Sequence, residues 1–315
     1  MIPITRPAPP PELDLTDPDS DASQELKDLR RKNDRGEKLS GGDFKVYKKQ
    51  PVRDLLEEMH HGKCAYCEAH IRATQDSDVE HYRPKLGVTE AREANIDHPG
   101  YWWLGVDWTN LLLSCQHCNQ PRTKLIVLPE DLENIDDIQA FVDKVKAERS
   151  RNKTRTGKHN FFPTADNTWI TSPDDNRGIA GEKPLLLDPT RVDPRDHLDW
   201  VIDGDASTLR PRAGSPEGEA TIRILGLNRR WLAEDRRIRL SEMKIERNTI
   251  IEAMNDWVQA PNDAAAQAHR QRALDAMARL ERWCADNQPF AGLARAYFAS
   301  VQAEVRAMGQ PAPGG

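Results

Sequence analysis

No apolar run in this 315-residue chain approaches the ~18–20 consecutive residues that a membrane helix needs. The opening residues, MIPITRPAPPP, lack the apolar core of a secretory signal, so the expected compartment is the cytoplasm. A GxxxxGK[ST] phosphate loop is also missing, and any ATP use must therefore come from a partner. There is no internal repeat. Cysteine is scarce, at five residues. In a reducing compartment, four of them arranged as two CxxC pairs read as metal ligands before disulfides. The fifth, Cys284, lies on a helical pattern and reads as a small buried hydrophobe. A surplus of positive charge is lacking as well: the formal net charge is -6. That argues against a general nucleic-acid coating protein but leaves room for local basic surfaces. Two basic clusters are present. One holds Arg151, Lys153, Arg155 and Lys158. The other holds Arg229, Arg230, Arg236, Arg237 and Arg239, and is interrupted by Glu234 and Asp235. Each reads either as a solvated face or as a phosphate contact. Hydrophobic content of 37% and charged content of 30% fit a folded, soluble protein.

The pattern along the chain suggests an α+β protein in four stretches. Residues 1–40 are Pro-rich and then acidic, and read as a flexible tail with one short helix around Ser23–Lys32. Residues 41–165 carry most of the chemistry-bearing motifs. Val52, Leu55, Leu56 and Met59 recur at helical spacing, and Gly62 ends that helix just before the first CxxC. Short strands are expected around Val79–Tyr82 and at Leu111–Leu113. An amphipathic helix is expected from Leu128 to Ser150, with Leu132, Ile135, Ile138, Phe141, Val142 and Val145 on one stripe. Residues 166–220 read as an extension, with a strand at Pro184–Pro189 and a loop from Gly204 to Gly218. Residues 221–315 read as helical. Met243, Ile250 and Trp257 form one stripe there. Phe290, Leu293, Tyr297, Phe298, Val301, Val305 and Met308 form another, and both read as packing surfaces.

Two CxxC pairs can supply four thiolates to one tetrahedral zinc at ~2.3 Å. Cys64, Cys67, Cys115 and Cys118 fit that requirement. With four sulfurs the site would be closed, so the zinc would staple the fold and not catalyse.

Between the pairs lies VEHYRPK, with Glu80 beside His81. Asn110 precedes the second pair and Asn119 follows it directly. Phosphodiester hydrolysis needs a general base near pH 7, which a neutral histidine supplies. It also needs a hard cation held by oxygen ligands such as Glu and Asn. Adjacent strand residues point to opposite faces, so Glu80 and His81 could share one site only at a strand end or bulge.

Taken together, Cys64-x-x-Cys67, Glu80-His81-Tyr-Arg-Pro84, Asn110-Leu111 and Cys115-x-x-Cys118-Asn119, with Lys124 beyond, resemble the HNH nuclease motif. The resemblance implies a ββα-metal finger reinforced by a four-cysteine zinc and embedded in a mainly helical protein. It implies His81 as general base and Glu80 and Asn119 as ligands of a catalytic Mg or Mn. Asn110 would brace the loop that orients the histidine. Two positions depart from the commonest pattern: Glu80 stands where Asp is usual, and Asn119 where His is usual. His117 is the competing candidate ligand. The segments KCAYCE, VEHYRPK, NLLLSCQHCN, NFFPTAD, EKPLLLDPTRVDPRDHL and ILGLNRRWLAEDR are similar to the PtuB-type HNH subunit of Septu and some retron anti-phage systems. That resemblance implies a PtuA-like ABC/SMC ATPase as partner in a hetero-oligomer. The docking surface would be the C-terminal helices or the Pro-rich tail. DNA is the expected substrate. RNA such as tRNA is one alternative, and a non-catalytic zinc module that binds nucleic acid is another.

The remaining candidates have plain readings. Arg122 and Lys124 read as phosphate or leaving-group contacts, with ordinary surface charge as the alternative. Trp102, Trp103 and Trp108 read as core, with base stacking as the alternative. Asp193 reads as a helix cap with Pro194 at the first helical position. A second metal site at Asp188, Asp193 and His197 is the weaker reading. His60 and His61 are expected to be exposed.

Overall fold

The computed structural model describes residues 1–71, 77–127, 153–204 and 206–308. The chain divides into two compact units. The first comprises residues 1–126, 153–199 and 210–227, and the second 127–152, 200–209 and 228–315.

In the first unit, helix α1 spans Asp21–Asp34. Ser20 caps it, its Oγ accepting from the Ser23 amide at 3.1 Å. Asp21 at the first turn and Arg31 and Lys32 at the last complement the helix dipole. Leu29 packs with Phe44 and Trp102, and Leu26, Leu39, Tyr47 and Trp103 close around them. Helix α2, Gln50–Met59, buries Val52 and Leu56. It ends where His61 and Gly62 adopt φ of 54° and 66°, which turns the chain into the first CxxC pair. Strand β1 (Asp78–His81), helix α3 (Thr89–Glu93), strand β2 (Leu111–Ser114) and the one-turn helix α4 (Gln116–Asn119) follow. β1 and β2 are antiparallel, with Asp78 opposite Ser114 and His81 opposite Leu111. All four β2 residues are buried, which suits an apolar run covered on both faces. Strand β3, Arg122–Leu125, pairs antiparallel with β4, Lys153–Thr156.

Strands β5 (Leu198–Asp203) and β6 (Ala206–Pro211) pair with each other. Helix α5, Pro216–Leu225, is capped by Ser215 and closed by Gly226 at φ 58°. A Cβ at Gly226 would lie 2.8 Å from Thr156 Oγ1, so both the backbone conformation and the contact with β4 call for glycine. The second unit contains α6 (Arg230–Val258), α7 (Asp263–Glu281) and α8 (Ala291–Met308), all in mutual contact.

Several expectations change. The segment 1–40 is packed, not a tail. Met1, Ile2, Leu13, Ala22 and Leu29 are buried, and Arg6 donates to the carbonyls of Trp108 at 2.7 Å and Leu111 at 2.9 Å. Its prolines suppress helix without preventing burial of the apolar residues among them. Pro184–Pro189 forms no strand; a single bridge joins Pro184 to Thr164. The stretch Gly204–Gly218, read as loop, contains β6 and the start of α5. The helix expected at Leu128–Ser150 lies outside the described residues. His60 is buried, with Nδ1 2.7 Å from the Leu56 carbonyl oxygen, and burial lowers its pKa to about 4. Arg229 and Arg236 are buried, not solvated. The Arg236 guanidinium lies 4.8 Å from the Trp200 ring centre. On the helical stripes Met243, Ile250, Leu293, Tyr297 and Val301 are buried, whereas Trp257 and Met308 are exposed. Trp102 and Trp108 are buried, in line with the core reading, and Trp103 is half-buried. Asp193 caps a short 3-10 turn by accepting from the Arg195 amide.

Candidate metal centre and active site

The two CxxC pairs meet. Sγ of Cys64, Cys67, Cys115 and Cys118 all lie within 4.8 Å of one another, and all four residues are buried. A tetrahedron with ~2.3 Å metal–sulfur bonds has edges of about 3.8 Å. Cys67 Sγ and Cys115 Sγ are 3.8 Å apart. The donor set therefore fits zinc. Crowding by the other sulfurs, together with burial, pushes the Cys118 thiol well up, since adjacent thiolates repel one another without a cation between them. The backbone holds both pairs in place. The Ala65 amide donates to Leu113 of β2 at 2.9 Å, and Cys115 forms the N-cap of α4. Within the described residues this is the one cluster of three or more His, Cys, Asp or Glu placed to hold a metal.

From this staple the chain runs β1, a long loop, β2 and α4. His81 is the last residue of β1 and is buried. Its Nε2 lies 2.9 Å from the Gly105 carbonyl oxygen. A carbonyl only accepts, so Nε2 carries the proton and Nδ1 keeps the lone pair. The Lys85 Nζ lies 3.2 Å from Nδ1, and the Tyr47 ring meets the imidazole edge-on at 4.6 Å. Burial, reinforced by Lys85, holds the imidazole well below its ordinary pKa, so it is neutral. Gly105 lies against Phe44: a Cβ there would sit 2.4 Å from Phe44 Cε1. Only glycine allows the loop to come close enough to present this carbonyl.

Asn110 ties the loop together. Its Oδ1 accepts from the Arg83 amide at 2.7 Å. Its Nδ2 donates to the carbonyls of Arg83 at 3.0 Å and Leu104 at 3.1 Å. The carbonyl that orients His81 belongs to the residue after Leu104. Asn110 thus joins the backbone just after His81 to the backbone just before Gly105.

Glu80 and Asn119 each have a partner of their own. The Glu80 carboxylate is buried against Lys158 Nζ at 2.6 Å. Lys158 also donates to the His81 carbonyl at 2.7 Å. Burial raises the Glu80 pKa, and Lys158 opposes the rise. The carboxylate beside Asn119 is Asp78: Asn119 Nδ2 donates to it at 2.9 Å, and Gln120 Nε2 at 3.2 Å. Sequence reasoning missed Asp78 and Lys158. Strand parity could have pointed to Asp78, which shares a face with Glu80 two residues on, while His81 faces the other way. Lys158 gave no such signal, because it is brought in from a distant segment. It was grouped with the exposed basic cluster, yet its side chain is fully buried. Arg122 and Lys124 are half-exposed. Arg122 donates to Gln116 Oε1 at 3.0 Å, and Lys124 Nζ lies 3.0 Å from His117 Nδ1.

The Glu80–Lys158 pair carries a stability prediction. Lys158→Met would leave a buried carboxylate unpaired, and breaking one side of such a pair costs about 3–5 kcal/mol. Adding Glu80→Gln should recover much of that loss. Denaturant titration of both variants checks this. Equal stability of the single and double variants would show that the two residues are uncoupled.

What fold and site define is a mixed helix and small-sheet protein with a buried four-cysteine cluster able to bind a metal. Sequence comparison places it further. Over 256 residues the chain is 30% identical to the Septu protein PtuB of Bacillus mycoides (strain KBAB4), covering 81% of this chain and 72% of that protein. The chain belongs to the PtuB family. It is also 24% identical over 185 residues to the Septu protein PtuA of the same strain, spanning 59% of this chain and 20% of that protein. No family model matches the chain, and no solved structure does.

Proposed function

We propose that this chain is a metal-dependent HNH nuclease that hydrolyses phosphodiester bonds of DNA. It would serve as the effector subunit of an anti-phage system with a PtuA-like ABC/SMC ATPase. The observation that carries the reading is His81 at the end of β1. A carbonyl fixes its tautomer, and that carbonyl sits on a loop braced by Asn110. A binding module needs no histidine held in one tautomer. Membership in the PtuB family and the missing phosphate loop support an ATPase partner.

In this reading His81 Nδ1 takes the proton from the attacking water. Asp78, Glu80 and Asn119 supply the oxygen donors that would hold Mg or Mn. Asn119 donates through Nδ2, so Oδ1 is the atom it would turn to the cation. When bound, the cation neutralises charge on the phosphate and the leaving oxygen. Arg122 and Lys124 lie just beyond α4 as phosphate contacts. Cys64, Cys67, Cys115 and Cys118 would hold a zinc that staples the finger and takes no part in catalysis.

The test is to incubate the purified chain, with and without its ATPase, with DNA and with total RNA in Mg²⁺ or Mn²⁺. The expected result is metal-dependent cleavage of DNA that EDTA stops. Cleavage of RNA alone would move the substrate to RNA. Binding without any cleavage would favour the non-catalytic zinc module. Co-purification with the ATPase tests the partner.

A further inference from the structure

The hydrogen bond from His81 Nε2 to Gly105 leaves Nδ1 as the only basic atom of the imidazole, and Lys85 stands at that atom. Its ammonium lies 4.7 Å from the Tyr47 ring centre and 5.8 Å from that of Phe44. Within the described residues no carboxylate forms an ion pair with it. Lys158 and Lys48 act on it as charges of its own sign, and Glu80 as the charge of opposite sign. Glu80 is already held by Lys158 at 2.6 Å. Lys85 thus stands at the imidazole and Lys158 at the His81 backbone carbonyl, while the Glu80 carboxylate is taken by Lys158. The ammonium nearest the base is half-buried on aromatic rings and has a neutral nitrogen as its hydrogen-bond partner. Such a group is placed to receive an anion, and an anion would draw it off Nδ1.

We propose that Lys85 is a catalytic residue that binds a non-bridging oxygen of the scissile phosphate and, in moving to it, uncovers Nδ1 of His81. This rests on the nuclease reading. The step balances as a hydrolysis. The water oxygen forms a bond to phosphorus and gives its proton to Nδ1. The bond from phosphorus to the leaving oxygen breaks with its electron pair on that oxygen, which is protonated from solvent. Lys85 donates a hydrogen bond throughout and transfers no proton. Until a phosphate arrives, the lone pair of the base is occupied, which would limit attack by water on anything but a docked strand.

The experiment compares wild type, Lys85→Met and Lys85→Arg in the full chain, with its ATPase present, under single-turnover conditions. Two substrates are used: the oligonucleotide that wild type cleaves, and the same strand with an uncharged methylphosphonate at the mapped scissile linkage. Methionine keeps the packing on Tyr47 and Phe44, so unchanged melting temperatures are expected. Lys85→Met should slow cleavage of the normal strand by about 10²–10³-fold, the usual loss for a donor aimed at a developing charge. Lys85→Arg should recover most of the rate. The methylphosphonate should slow wild type strongly and Lys85→Met little further, because the charge that Lys85 meets is already gone. Wild-type speed in Lys85→Met, or losses that multiply independently, would overturn the role of Lys85 and leave the nuclease reading standing. Failure of wild type to cleave either DNA or RNA would overturn the nuclease reading, and this inference with it.

Discussion

His81→Ala should lower phosphodiester cleavage by about 10²–10⁴-fold, the range expected when a positioned general base is removed. The prediction is sharp because His81 has one geometry. Nε2 is committed to Gly105, and the other ring nitrogen is the only lone pair it can offer. Among the groups in contact with it, Lys85 and Lys158 are cations and Tyr47 is a phenol whose pKa burial raises. None of these substitutes for a neutral base at pH 7. The fold should survive. The variant loses a ring buried against Tyr47 and leaves the Gly105 carbonyl without its donor, a cost of about 1–3 kcal/mol. Circular dichroism and thermal melting separate this loss from unfolding. A folded His81→Ala protein that cleaves at the wild-type rate would falsify the assignment of His81 as base.

Removing zinc should have the larger structural effect. Elemental analysis should find about one zinc per chain, because four sulfurs complete one tetrahedral site. Structural zinc contributes about 10–16 kcal/mol of apparent binding free energy in small fingers at pH 7. That exceeds the whole stability of many domains. The pairs here join segments far apart in sequence: Cys64 and Cys67 follow α2, while Cys115 and Cys118 bracket the start of α4. Cys115→Ser should therefore loosen both ends of the β1–β2 finger at once. Asp78 would lose its place against Asn119, and His81 its loop. The expected signs are a lower melting temperature, protease sensitivity around residues 64–119, and loss of cleavage together with zinc. A stable native protein that contains no zinc would rule out the cysteine quartet as a metal site.

The sequence by itself determined a good part of this. The CxxC spacing identified the cysteine cluster, since two intervening residues bring both sulfurs of a pair to one point wherever the pair lies. Apolar spacing located α2 and the C-terminal helices, because a 3.6-residue period can be read locally. A Gly at the end of α2 and an Asp before Pro194 marked their turns for equally local reasons. Asn110 was assigned its bracing role through the resemblance to HNH proteins, and its hydrogen bonds to Arg83 and Leu104 are consistent with that role.

What only the tertiary structure decided depends on contacts between distant segments. That Glu80 also carries an ion pair shows only when Lys158, 78 positions later, brings an ammonium to its carboxylate. Asp78 looks like an ordinary polar residue until the register of β1 and the turn of α4 place it against Asn119. Residues 1–40 read as a tail because proline and acidic residues dominate their composition. They pack because Arg6 reaches the carbonyls of Trp108 and Leu111, and Leu29 packs with Phe44 and Trp102. Gly105 is unremarkable in the sequence and becomes necessary once Phe44 lies 2.4 Å from where its Cβ would be. A local pattern records the conformation of a segment. Which charge neutralises which, and which carbonyl meets a given imidazole, is set by burial between segments that no local pattern records.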